Sequence, residues 1–411
     1  MTPFVRSAAF GLLLALPAAP ALAAPAPAAP EANAPCGGDF NAWLDGVRAE
    51  ARAAGVSDRA IAEGLEGVRI EPKVLAADRA QSVFQQTFLQ FAGRMAAPPR
   101  LPNAIKQVKA RRDLFDQIEK TYGVPGEVIA SFWGLETDFG GNLGKFDTRN
   151  ALATLAHDCR RPGFFRPQLI AVLKIVDHGD LAPSEMRGAW AGELGQTQMM
   201  PVDYVRSGVD ADGDGRVDLM KSIPDALNSA GKYLADLGWR RGEPWLQEVV
   251  APADMPWLEA DIDVKHPVSQ WRAWGVKPRA GDLAKDDAQA SLLLPMGRNG
   301  PAFLAYQNFD VYKTWNQSFI YSTTAAYLAT RIAGAPQVSE GNAPVRPLGS
   351  DELKELQRHY VRSGWLPEDE VDGKLGGDTR RATRKAQAKL GLPADGYPTV
   401  ELLQALDAQR G

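Results

Sequence analysis

The chain has 411 residues, 45% of them hydrophobic and 23% charged. That composition suits two or three globular domains and excludes a disordered or collagen-like protein. A net charge of −4 offers no basic field for nucleic acid. Four scattered histidines and two cysteines form no Cys/His metal cluster, and neither a Ser/His/Asp triad nor a phosphate loop is legible.

The first residues carry one charge, Arg6, then an apolar run over 8–19 and the small residues Ala21-Leu22-Ala23-Ala24. This order reads as a secretory signal over 1–23, too short to span a bilayer comfortably. Residues 24–35 are rich in Ala and Pro and read as a tether. Cys36 follows Asn33-Ala34-Pro35, which is not a lipoprotein site. The expected location is therefore exported and periplasmic. In an oxidising compartment the two remaining cysteines, Cys36 and Cys159, can form one disulfide; two separate buried thiols are the alternative.

From 40 to about 111 the apolar residues recur at helical spacing, as in Trp43, Leu44 and Val47, and in Val83, Phe84, Phe88 and Phe91. The stretch 84–91 mixes aromatics with amides, which would suit a sugar groove. Aromatics at helical spacing more often fill a core.

The centre of the chain is the stretch 123–141. Pro125 suits a helix start and Gly140-Gly141 a helix stop. Between them Ile129, Phe132 and Trp133 mark an apolar stripe, and Glu136 falls on it near the C-terminal end. A carboxyl there loses water, its pKa rises, and it can serve as a general acid. A surface helix with a glutamate at the stripe's edge is the plain alternative.

Another helix is expected over 167–176. The loop 188–201 is rich in Gly, Ala and amides, which lets backbone approach a ligand and offers donors and acceptors to sugars. Asp210, Asp212, Asp214 and Asp218 with Gly215 fit positions of a calcium loop. Its twelfth position should be Glu and is Lys221, so a metal-free Asp/Gly turn competes with that reading. Short apolar runs at 249–251, 292–294 and 303–306 predict a small β insert. A helix then runs to about Ile332, and 336–348 reads as a linker. In the tail, residues 353–361 mark one helix; Asp378 should cap a second and Thr399 a third.

Several motifs occur in order: Gly123-Val124-Pro125, Gly134-Leu135-Glu136-Thr137, Gly144-Lys145, Ala151-Leu152-Ala153-Thr154-Leu155, Arg160-Arg161, Ala191-Gly192, Gln198-Met199-Met200-Pro201, Asp212-Gly213-Asp214-Gly215 and Trp315-Asn316. Together they resemble the lytic murein transglycosylases of the B type, glycoside hydrolase family 103, over 36–335. The tail from 349 to 411 resembles a peptidoglycan-binding domain through Asp372-Gly373-Lys374-Leu375-Gly376 and Gly391-Leu392-Pro393-Ala394-Asp395-Gly396.

The resemblance implies a mainly α, lysozyme-like catalytic domain with a small β insert, followed by a three-helix wall-binding domain. It implies cleavage of the MurNAc–GlcNAc β-1,4 bond of peptidoglycan with 1,6-anhydro ends, in cell-wall remodelling or turnover. It places the catalytic acid on Glu136 and substrate contacts on Arg160, Arg161, Gln198, Tyr233 and Asn316. Phe91 and Trp315 stand where the family has groove tyrosines, Ala189 where it often has Ser, and Met199 where it has an aromatic. Peptidoglycan glycan strands are the expected partner, the chain is expected to be a monomer, and no cofactor is required. A calcium ion at Asp210, Asp212 and Asp214 would lack its last acidic ligand. The alternatives are a hydrolytic muramidase, with Asp138 or Glu193 activating water, and a non-catalytic wall-binding protein.

Overall fold

A computed structural model describes residues 34–79 and 86–409. The signal segment, most of the tether, and Val83 and Phe84 lie outside the described residues. Short helices supply most of the architecture, and their ends follow local chemistry. Asp39, Ser57, Thr87, Ser222 and Ser318 each accept a backbone N–H of the first turn they precede. Thr87 and Gln90 close a full capping box.

Two helical cores lie side by side. One gathers the helices Phe40–Ala53, Asp58–Leu65, Thr148–His157 and Pro162–His178 with the loops to Met220. The other gathers Phe88–Met95, Arg100–Ala110, Arg112–Tyr122, Gly126–Thr137, Ile223–Asp236, Phe309–Trp315 and Phe319–Ile332. Cys36 and Cys159 are bonded across 123 residues and tie the first described residues to the first core. No helix among the described residues is long and apolar enough to cross a membrane.

Gly126–Thr137 is buried almost all round, not along one stripe: within it only Glu127 and Glu136 escape full burial. A helix apolar on every side belongs in the centre of a fold. Its stop differs from the expected Gly140-Gly141. Asp138 and Phe139 already take the left-handed conformation, at φ 50° and 64°, and the hydroxyl of Thr137 donates to the Gln196 carbonyl at 2.5 Å. Tertiary bonds end this helix before the glycines can. The helix expected over 167–176 begins earlier, at Pro162, and carries Pro167 inside it.

Seven short strands are present among the described residues: β1 (Phe146–Asp147), β2 (Arg187–Gly188), β3 (Leu246–Val250), β4 (His266–Pro267), β5 (Lys277–Pro278), β6 (Gln289–Leu293) and β7 (Ala302–Tyr306). β1 and β2 pair alone. The others form one antiparallel sheet in the order β4-β6-β7-β3-β5, the small β insert. The short edges β4 and β5 and the pair β1–β2 were not legible, because two residues carry no alternation.

The tail folds as helices Ser350–Arg362, Gly377–Lys389 and Val400–Ala408 around its own core of Leu353, Leu356, Tyr360 and Leu402. Thr399 caps the third helix. The second begins after Gly376, so Asp378 sits in its first turn and does not cap it. The segment read as a linker is pinned: Ser339 donates to Glu248 and Val338 to the Tyr327 hydroxyl. The tail itself is docked. Arg380 is buried and donates to the carbonyls of Leu294 and Pro295, at 3.2 and 2.8 Å. Arg384 pairs with Asp261 at 2.5 Å and donates to the Ala260 carbonyl.

Candidate active site

Glu136 ends the central helix where three later segments converge. Its Oε1 accepts from the Trp315 indole at 3.0 Å and from the Tyr321 hydroxyl. Trp315 is held by stacking on Phe132, one helical turn before Glu136, with ring centroids 4.1 Å apart. Tyr233 packs on Trp315 with ring centroids 5.3 Å apart and donates to Asp203 at 3.2 Å. An apolar helix thus sets the floor, and two aromatic donors hold the acid near its end.

Burial pushes the Glu136 carboxyl up to about 7; the two donors oppose that shift and the charge of Glu193 adds to it. Loss of water outweighs two hydrogen bonds because each donor favours the ionised form only modestly. The acid is therefore half-protonated near neutrality, as proton donation to an ether oxygen requires. Burial and the neighbouring carboxyl hold the Tyr321 hydroxyl well above its ordinary range, so it remains a donor.

The structure brings Glu136, Trp315 and Tyr233 together and gives the other expected residues separate tasks. Arg160 and Arg161 both bind the buried carboxylate of Asp78, Arg161 at 2.5 Å. Both guanidinium groups keep outward exposure. Gln198 takes φ 50° and donates its amide to the Gly195 and Leu143 carbonyls, which braces the amide-rich loop. Asn316 caps the turn before Phe319–Ile332 by accepting from the Ser318 N–H at 2.9 Å. Phe91 lies under Arg94 and lines a cavity of about 610 Å³ between the insert, Phe88–Met95 and the docked tail. That lining does not include Glu136, nor does that of a second cavity of about 990 Å³ beside β3 and β7.

Tyr321, Asp78 and Gln196 were missed. Tyr321 lies 185 residues from its partner; the one available hint was a phenol in the first turn after the capped Trp315-Asn316-Gln317-Ser318 segment. Asp138, a candidate water activator, is instead paired with Arg100 at 2.6 Å.

The carboxylates of Asp210, Asp212 and Asp214 offer oxygens within 4.8 Å of one another. Hard oxygens so grouped fit a hard cation. Position twelve does not: Lys221 supplies no oxygen and pairs with Glu185. The loop is already closed by protein. Buried Asp225 accepts from the N–H groups of Ala211, Asp212 and Asp218.

A mainly helical domain with a glutamate sequestered at the end of its central helix fits the lysozyme-like class of glycan-cleaving folds. Residues 39–330 match the family described as transglycosylase SLT domain, and the chain belongs to that family. Residues 349–406 match a putative peptidoglycan binding domain. The chain is similar to the membrane-bound lytic murein transglycosylase B of Escherichia coli (strain K12), 29% identical over 248 residues, which are 60% of this chain and 67% of the relative. Among solved structures it resembles SltB3 from Pseudomonas aeruginosa in complex with NAG-anhNAM-pentapeptide, with TM-score 0.83 and 36% identity over 90% of this chain and 100% of that one. It also resembles the Escherichia coli lytic transglycosylase Slt35 in complex with calcium, with TM-score 0.62 and 28% identity over 72% and 95% of the two chains.

Proposed function

We propose that this chain is a peptidoglycan lytic transglycosylase in which Glu136 is the single acid and base. Family membership and the sugar–peptide complex of SltB3 support the activity class. The observation that carries the residue assignment is the placement of Glu136 at the end of the buried central helix with Trp315 and Tyr321 donating to its carboxyl, where burial raises its pKa.

Glu136 gives its proton to the oxygen joining MurNAc to GlcNAc, and the C1–O bond breaks. The 2-acetamido oxygen of the same MurNAc closes on C1 and carries the positive charge, so no protein nucleophile is needed. The ionised Glu136, held by Trp315 and Tyr321, then takes the proton of the muramyl C6 hydroxyl. That oxygen attacks C1, the acetamido bond opens, and a 1,6-anhydro ring results with Glu136 protonated again. Water is neither consumed nor required. Tyr233 and Trp315 offer aromatic faces to the sugars, and the exposed guanidinium groups of Arg160 and Arg161 suit stem-peptide carboxylates. Gln198 and Asn316 complete the proposed groove, and Phe91 lines the separate cavity beside the docked tail.

The finer reading places this enzyme in the periplasm as a monomer, with 1–23 as signal, 36–335 catalytic and 349–411 bound to wall. No metal enters the chemistry; the aspartate loop could take a calcium ion through Asp210, Asp212 and Asp214, where its role would be structural. The test is mass analysis of sugar ends released from purified sacculi. Anhydro-muramic ends are expected; ordinary reducing muramic ends would make the enzyme a hydrolase, and no release at all would make it a wall-binding protein.

A further inference from the structure

One carboxyl beside Glu136 has no task in that mechanism. Glu193 lies in the amide-rich loop, which folds back on itself through paired backbone bonds between Leu194 and Met199 at 2.8 and 2.9 Å. The fold is tight: a Cβ at Gly188 would stand 1.9 Å from the Glu193 carbonyl oxygen, so only glycine permits it. Gln196 then fastens this loop to the helix of the acid. Its side-chain oxygen accepts from the Trp133 indole at 3.1 Å, and its carbonyl accepts from the Thr137 hydroxyl. Trp133 and Thr137 bracket Glu136, so the loop that carries Glu193 is fastened to the acid's own turn.

The Glu193 carboxyl is itself unevenly served. The backbone of Ala191 and Glu193 favours its charged form, yet Oε2 is buried with no partner. A buried carboxylate oxygen without a donor is costly unless something is gained.

We propose that Glu193 is a positioning residue for Glu136: fixed to the last turn of the acid's helix, it sets the pH range over which Glu136 keeps its proton. This rests on the reading of Glu136 as the acid. A negative charge on Glu193 acts directly on Glu136 and disfavours a second one. Burial also holds the Glu193 carboxyl above its ordinary range. The other groups around Glu136 do not supply this effect. From Phe319–Ile332 comes neutral Tyr321. From Arg100–Ala110 comes Arg100, bound to Asp138. From Ile223–Asp236 comes Tyr233, bound to Asp203 and packed on Trp315.

The experiment is the pH profile of kcat/KM on soluble peptidoglycan fragments for the full chain and for Glu193→Gln, with the products analysed by mass. Gln keeps the shape and removes the charge. The basic limb should move down by about one unit, so the rate at pH 8 falls about tenfold while that at pH 5 stays within about twofold. Products should keep their anhydro ends. Glu193→Asp, which keeps a charge on the same loop, should recover part of the shift, and Glu193→Ala, which removes the charge with the side chain, carries the test if the Gln variant does not fold. An unmoved limb in folded Glu193→Gln or Glu193→Ala overturns the proposal. So do wild-type reducing ends that vanish in Glu193→Gln, because Glu193 would then be activating water. Undiminished activity in Glu136→Gln would instead remove the underlying reading.

Discussion

Two acidic regions of this molecule are built on opposite terms. The loop from Asp210 to Asp225 crowds carboxylates together, and nearly every one is met by backbone: Asp210 accepts from Gly213 and Gly215, Asp214 from Arg216, and Asp225 from three N–H groups. The end of the central helix holds far fewer acids, but their hydrogen bonds fall short of their burial. Glu136 rests on two aromatic donors and Glu193 leaves one oxygen unmet. Abundance of acid therefore does not locate chemistry. A shortage of donors around a buried acid does, because that shortage keeps a proton in place.

The contrast can be broken most sharply at Glu136. Glu136→Gln should lower turnover by about 10²–10⁴-fold or more, read by anhydro-sugar release, while pull-down by sacculi persists. The same change should stabilise the fold at high pH. A carboxyl raised in the folded state costs stability as pH climbs from its unfolded value of about 4.5 to its folded value of about 7. At pH 8 the variant should gain roughly 3 kcal/mol in urea unfolding, and at pH 5 very little; an equal gain at both pH values would contradict the burial argument. In the other region Asp225→Ala should cost about 3 kcal/mol, since three backbone donors lose their acceptor, yet folded enzyme should cut at the normal rate. A loss of rate per folded molecule would tie the loop to the cleft. Tyr321→Phe removes a donor that favours ionised Glu136, so the basic limb of kcat/KM should rise by about one unit. That direction is opposite to the one expected for Glu193→Gln, and matching directions would sink the account of both. Lys221→Ala and treatment with a chelator should leave turnover unchanged, because Lys221 and Glu185 pair at the surface.

Glu136 was legible because spacing alone puts it on a helix with Phe132 and Trp133. The main strands of the insert and the Thr399 cap were legible for the same reason, as local patterns. What escaped was tertiary. No periodicity joins Tyr321 to a residue 185 positions away, or shows that Asp78 engages both Arg160 and Arg161. The helix stop was misplaced because Gln196, also remote in sequence, holds Thr137. Composition described 336–348 as a linker, but composition cannot see that Glu248 waits for Ser339.

The docked tail has a consequence of its own. With Arg380 sunk among the carbonyls of the insert and Arg384 clamped on Asp261, the tail is less a balloon on a string than the second leg of a locked pair of compasses. Whatever strand that leg grips, the cutting point meets the mesh at one radius and one angle. The span from the tail to Glu136 is then set by the fold itself and not by the length of a tether.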